Sequence, residues 1–67
     1  MKFRILDTVN TAIRLERDNI PSVVVQQLLG KVVVQNDTSK PLEAVAVFMG
    51  QESTWCIAPD CVELLPG

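Results

Sequence analysis

Polar and apolar residues alternate in several short segments of the chain. Residues 2–6 and 12–17 are each apolar at every second position, and charged residues lie between most of the apolar ones. This period of two is typical of a strand with one buried and one exposed face. We therefore predict strands at 2–6 and 12–17, with a turn at residues 18–21, where Asp, Asn and Pro come together.

The segment 22–29 carries two conflicting signals. Ser22 can cap the start of a short helix and Gly30 can end it. Three consecutive valines favour an extended chain instead, because β-branched side chains fit a pleated surface better than a helix. We predict extended or irregular structure here, with a helix as the alternative.

The second half of the chain consists of further strands separated by turns. Asn, Asp, Thr, Ser, Lys and Pro follow one another in residues 36–41, and this composition predicts a loop. Gly50 opens a second polar stretch, 50–53, which predicts a hairpin turn. The predicted strands of this half are 31–35, 42–49, 54–57 and 62–65.

Short strands at close spacing are typical of a small barrel or sandwich. A chain of 67 residues has room for one domain, and we take residues 1–67 as that domain. Because 48% of the residues are apolar, we expect a packed core. The pattern predicts an all-β fold, and a closed barrel suits so short a chain because closure leaves no exposed strand edge.

The C-terminal third resembles SH3-like barrels, in which a one-turn 3₁₀ helix precedes the last strand and apolar residues five apart flank it. Ile57 and Val62 have this spacing, and Pro59 and Asp60 between them suit a tight turn. The resemblance spans residues 28–65 and extends in outline to bacterial KOW-type modules and to a small photosystem I subunit. It implies a five-stranded SH3-like barrel, but a shape shared by so many activities does not specify a function.

The predicted strand 42–49 is apolar on both of its faces. If Ala44 and Ala46 face the core, the alternate residues point outward, where a small barrel has nothing to cover them unless residues 8–29 fold over them. Exposed apolar surface of this kind marks an interaction site. We therefore predict a non-catalytic assembly module that binds a second copy of itself or another protein. The predicted interface consists of Val33, Val45, Val47, Met49 and Trp55.

Charge gives a second hypothesis for the function. The net charge is −2, and the basic residues are scattered along the chain. Nucleic acid attracts proteins through clustered Lys and Arg. Binding of nucleic acid or of a ribonucleoprotein, as the resemblance to KOW-type modules implies, therefore requires dispersed residues to meet on one surface. Those residues are Lys2, Arg4, Arg14, Arg17 and Lys31.

Catalytic chemistry has little basis in the residues. The chain has no His, so Cys56 and Cys61 lack both the usual base for a thiolate nucleophile and the further ligands of a zinc site. We predict no catalytic residue, no cofactor and no metal. An enzyme whose active site forms only in the pore of a symmetric oligomer is the third hypothesis.

Sequence features also bear on where the chain resides. The first residues lack the apolar core of a secretion signal, and no apolar run approaches the length that spans a bilayer. We expect a cytoplasmic protein without membrane contact, in which Cys56 and Cys61 are reduced. A disulfide between these two residues is the alternative.

Overall fold

The structure is a computed structural model that describes residues 1–36 and 41–66. Within these residues the chain forms two antiparallel sheets and two α-helices. The elements in chain order are β1 (Lys2–Ile5), α1 (Val9–Arg17), α2 (Ser22–Leu28), β2 (Val32–Val34), β3 (Leu42–Phe48), β4 (Gln51–Ile57), a one-turn 3₁₀ helix (Pro59–Cys61) and β5 (Val62–Leu65). The domain is β-rich, as predicted, but it is mixed rather than all-β.

β1 is the central strand of the larger sheet. It pairs with β2 on one side, where Phe3 lies opposite Val33, and with β5 on the other, where Phe3 lies opposite Leu64. β3 and β4 form a separate antiparallel pair, the β3–β4 ribbon, with Val45 opposite Thr54. Within the described ranges no strand of one sheet pairs with a strand of the other, so the two sheets do not close into the predicted barrel.

Residues 12–17 are helical, and the strand predicted there is wrong. The hydroxyl of Thr8 caps α1 by accepting a hydrogen bond from the backbone N–H of Thr11 at 3.1 Å. Thr11 and Leu15, four residues apart, are buried on one face of the helix. Ile13, which alternation placed inside with Leu15, is 48% exposed. A strand would bury Leu15 together with Ile13, two residues earlier, whereas the helix buries Leu15 together with Thr11, four residues earlier. Leu15 fits both patterns, and so this short amphipathic helix resembles a strand in sequence.

The end of α1 explains the break predicted at residues 18–21. Asn19 has a φ of +68°. Its N–H donates to the carbonyl of Glu16 at 3.0 Å, and the N–H of Ile20 donates to the carbonyl of Leu15 at 3.1 Å. This is a Schellman motif with Asn in the left-handed position. Because Ile20 and Leu15 are both buried, the motif also anchors the turn to the core.

Residues 22–28 form α2, so the extended structure favoured for 22–29 is wrong and the helical alternative holds. Val24, Val25 and Leu28 are buried, and this side of the helix packs against β3. Burial of these side chains outweighs the weak preference of valine for strands. Ser22 is not the cap; its hydroxyl donates to Glu16 Oε1 at 2.7 Å.

A bulge links α2 to β2. The N–H of Gly30 donates to the carbonyl of Ile5 at 2.8 Å, and the N–H of Ile5 donates to the carbonyl of Lys31 at 2.9 Å. Two residues thus lie opposite one, and Gly30 adopts a φ of +78°. Glycine is the residue that this bulge type requires at its first position. The bulge leaves the ammonium of Lys31 in contact with β3, where it donates to the carbonyl of Val45.

One hydrophobic cluster joins the helices and both sheets. Its most deeply buried side chains come from β1, both helices and the 3₁₀ helix, and are Ile5, Leu15, Val24, Leu28 and Cys61. The ribbon contributes Ala44 and Ala46 from β3 and Ile57 from β4. The core therefore lies between the larger sheet, the helices and the inner face of the ribbon.

The remaining strand predictions are confirmed within a few residues. Strands occupy most of 2–6, 31–35, 42–49 and 62–65, and the predicted 3₁₀ helix precedes β5. The predicted turn at 50–53 is displaced, because β4 begins at Gln51 and the turn is formed by Met49 and Gly50. The loop predicted at 36–41 falls mostly on residues 37–40, which lie outside the described residues.

Candidate interaction surface

The outer face of the β3–β4 ribbon carries exposed valines. Ala44 and Ala46 are 2% and 4% exposed and face the core, whereas Val45 and Val47 between them are 43% and 46% exposed. This alternation is the one predicted for the strand. α2 covers the inner face of β3, and so the N-terminal segment does not bury the outer valines.

β4 completes this outer face. Directly opposite Glu43, Val45 and Val47 lie Cys56, Thr54 and Glu52, and all three of these β4 residues are exposed. Residues directly opposite each other point to the same side of a sheet. The face therefore has apolar and weakly polar residues along its centre and one carboxylate near each end.

The hairpin turn presents a further apolar side chain. Met49 and Gly50 have φ values of +53° and +78°, the two positive angles of a type I′ turn. Methionine in this region costs about 1 kcal/mol, because its Cβ crowds the following carbonyl. Met49 is nevertheless 86% exposed at the turn that closes the end of the ribbon. Of the predicted interface, Val45 and Val47 thus share the outer face, and Met49 lies at the adjoining turn.

Val33 does not join this group. β2 pairs with β1 in the other sheet, and Val33 is half-buried against the core. The exposed residues of β2 are its neighbours, Val32 and Val34, at 47% and 62%. An interface that includes Val33 with Val45 and Val47 requires β2 to lie beside β3, but the side chains of Gln27 and Lys31 occupy that edge.

Trp55 lies on the inner side of the ribbon, opposite Ala44. It is half-buried and meets Phe48 edge to face, with ring centroids 6.1 Å apart and an interplanar angle of 85°. Its indole Nε1 is buried and has no hydrogen-bond partner among the described residues. Trp55 therefore packs at the rim of the core and stands apart from the outer valines.

The free edge of β3 is closed by the side chains of Gln27 and Lys31, and the residue pattern predicted this role for neither of them. Gln27 Nε2 donates to the carbonyl of Val47 at 2.6 Å, and the N–H of Val47 donates to Gln27 Oε1 at 2.8 Å. One carboxamide thus bonds as the peptide group of a neighbouring strand would. The Lys31 ammonium donates a hydrogen bond to the carbonyl of Val45, two residues earlier on the same edge of β3.

The basic residues are distributed over several elements. Lys2 and Arg4 lie on β1, and Arg4 pairs with Glu63 at 3.4 Å. Arg14 on α1 pairs with Asp18 and Asp60. The negative charge of Asp18, with a smaller contribution from Asp60, raises the pKa of the Arg14 guanidinium. Both of these arginines thus already have carboxylate partners.

A small pocket of about 340 Å³ lies between α1 and the 3₁₀ helix, next to Arg14, Asp60 and Cys61. Cys61 is buried, and burial raises the pKa of its thiol although Arg14 acts in the opposite direction. A thiol held protonated is a poor nucleophile. Cys56 is exposed on the ribbon, and the structure has both cysteines as free thiols.

No group of three or more Asp, Glu, Cys or His side chains in 1–36 and 41–66 is arranged to hold a metal ion. In the same part of the chain, neither helix has the length and apolar character needed to traverse a bilayer.

The chain was also compared with known proteins. No protein-family model, no curated protein and no solved structure matches it.

Proposed function

We propose that this chain is a non-catalytic assembly module that associates with copies of itself through the outer face of the β3–β4 ribbon. The observation that carries the proposal is the exposure of Val45 and Val47 on a strand whose other face packs against the core. Met49 at the adjoining turn extends the apolar surface. Single exposed apolar residues are common, whereas neighbouring exposed apolar residues on one face of a strand pair favour a contact site.

The exposed fractions of Val45 and Val47 set the contribution of these side chains to the free energy of association. Full burial of a valine is worth about 1.5 kcal/mol, so covering the exposed 43–46% of one side chain contributes about 0.7 kcal/mol. Two valines on each of two copies then contribute about 3 kcal/mol, or roughly a hundredfold in the association constant. Replacing both by carboxylates removes this term and adds charge repulsion.

The test is sedimentation equilibrium over a range of concentrations. The parent chain is expected to exceed the mass of a monomer at tens of micromolar, and the variant Val45→Glu/Val47→Glu to lose most of this association. The matched control is Val34→Glu, the same change at an exposed β2 residue beside a separate groove that includes Leu64. A monomeric parent chain overturns the proposal, as does a control that dissociates while the double variant does not.

Nucleic-acid binding has less support. It requires basic side chains on one surface, yet Arg4 and Arg14 are already paired with carboxylates and Lys31 bonds the edge of β3. Salt-sensitive binding to RNA or DNA at low ionic strength would bring it forward. The third hypothesis, an enzyme whose active site forms in the pore of a symmetric oligomer, is tested by whether the assembly has a central cavity lined by polar residues.

We also propose that the resemblance to SH3-like barrels is one of architecture. Two features support it: the 3₁₀ helix flanked by Ile57 and Val62, and the position of β1 between β2 and β5. The arrangement departs from a closed barrel where α2 and its Gln27 side chain lie along β3. Nothing about function follows from this likeness.

A further inference from the structure

The two edges of the β3–β4 ribbon differ. The edge of β3 is closed by the carboxamide of Gln27 and the ammonium of Lys31. β4 has no such cover: among the described residues β3 is the only element that packs extensively against it. Uncovered strand edges pair readily with another chain, and proteins usually block them with a charge, a proline or a bulge.

The register shows which backbone groups of β4 point outward. A two-residue hairpin closes with a hydrogen-bonded pair, here Phe48 and Gln51, and such pairs alternate along the ribbon. The N–H and C=O groups of Glu52, Thr54 and Cys56 therefore point away from β3. The same alternation sends both backbone groups of Val47 away from β4, where Gln27 bonds them.

The size of the outer face favours an interface larger than the face alone. A strand of seven residues is about 24 Å long and two strands are about 10 Å wide, so one ribbon offers about 240 Å². Two such faces in contact bury on the order of 500 Å², whereas stable interfaces bury about 1,200–2,000 Å². Joining two ribbons edge to edge doubles the face and adds backbone hydrogen bonds.

We propose that β4 pairs with β4 of a second copy, antiparallel about a two-fold axis at Thr54, to form one four-stranded sheet. This inference rests on the proposed function: edge pairing puts the outer faces of both ribbons on one side of the four-stranded sheet, and contact between two such sheets then buries Val45 and Val47. Thr54 is the midpoint of Gln51–Ile57, so this register uses the outward groups of all three residues, Glu52, Thr54 and Cys56. It places Glu52 opposite Cys56 of the partner, and no carboxylate faces another. A register centred on Glu52 would oppose two like charges.

Disulfide trapping tests this register. In a hydrogen-bonded antiparallel pair the Cα atoms are about 5.5 Å apart, within the range a disulfide spans. Thr54→Cys in a Cys56→Ser background is expected to give a covalent dimer under mild oxidation. Glu52→Cys with Cys56 retained is expected to do the same, since these two positions lie opposite each other across the axis. Glu52→Cys combined with Cys56→Ser is the control and is expected to give only the collisional background.

The outcomes separate the inference from the proposed function. Hydrogen exchange at the amides of Glu52, Thr54 and Cys56 is expected to slow as protein concentration rises. If the chain associates but these amides stay fast and the crosslinks stay at the background level, the edge pairing is wrong and the proposed function stands. If sedimentation shows a monomer, both are wrong. A dimer trapped in the control as efficiently as in the Thr54→Cys variant also overturns the register.

Discussion

The carboxamide of Gln27 is expected to stabilise the fold by serving as a neighbouring strand for β3. It accepts from the N–H of Val47 at 2.8 Å and donates to the carbonyl of Val47 at 2.6 Å. An intramolecular hydrogen bond contributes about 0.5–1.5 kcal/mol net, and Gln27 is exposed, so each bond belongs in the lower half of that range. Their loss should lower the free energy of unfolding by about 1–2 kcal/mol.

Gln27→Ala removes both bonds, and Gln26→Ala is its matched control. Gln26 is the preceding residue of the same helix and is also exposed, and no hydrogen bond is formed by its side chain within the described ranges. Both changes alter helix propensity equally, so the difference between the two variants isolates the contacts with Val47. Gln27→Ala also removes the hydrogen bond from Gln27 Nε2 to the carbonyl of Val23, at 3.2 Å, and this loss is included in the measured change in the free energy of unfolding.

Urea unfolding measures the difference. With a slope of about 1 kcal/mol per molar urea for a small domain, the urea midpoint of Gln27→Ala should lie about 1–2 M below that of Gln26→Ala. Hydrogen exchange should also become faster at the amide of Val47 in the first variant only. Equal midpoints for the two variants, together with unchanged exchange at Val47, would refute the reasoning that this side chain closes the edge of β3.

Three further predictions concern the turn and the thiols. Met49→Asn should raise the thermal midpoint by about 4 °C when measured at concentrations where the chain is monomeric, because Asn tolerates the left-handed conformation; an unchanged or lower midpoint would contradict this. Burial raises the pKa of the Cys61 thiol, so this thiol ionises at a lower pH in the unfolded chain than in the folded one. The free energy of unfolding should therefore fall as pH rises above about 8.5, the usual pKa of a cysteine thiol. This loss of stability should be absent in Cys61→Ala. A thiol reagent should modify Cys56 in the folded chain and Cys61 only after unfolding. Rapid modification of both thiols in the folded chain would contradict the burial of Cys61.

The strands that could be predicted from sequence are those whose signal is local. β3 alternates between buried and exposed residues, and the 3₁₀ helix has Pro and Asp at its turn, so both follow from the residues themselves. α1 is too short to display several helical turns, and its buried Thr11 is polar. The helix therefore lacks the repeated apolar residues, three or four positions apart, by which an amphipathic helix is recognised in a sequence.

The candidate site shows the same division. The exposure of Val45 and Val47 follows from their parity along β3. The place of Val33 depends on which strands pair, and the pairing of β2 with β1 is decided by contacts between distant segments. Gln27 reaches Val47 across 20 positions, and a glutamine on an exposed helix face gives no local sign of that partner.

The pairing of β1 with β5 has a consequence for how the chain folds. Arg4 lies opposite Glu63, and their side chains bond across 59 positions, whereas β3 and β4 meet through a turn of two residues. Hairpins form in microseconds, while contacts between distant segments must first overcome the entropy of closing a long loop. We therefore expect the β3–β4 ribbon to form early and the larger sheet to complete the fold. During that interval the ribbon lacks both Gln27 and a finished core, and each of its edges is open to another chain.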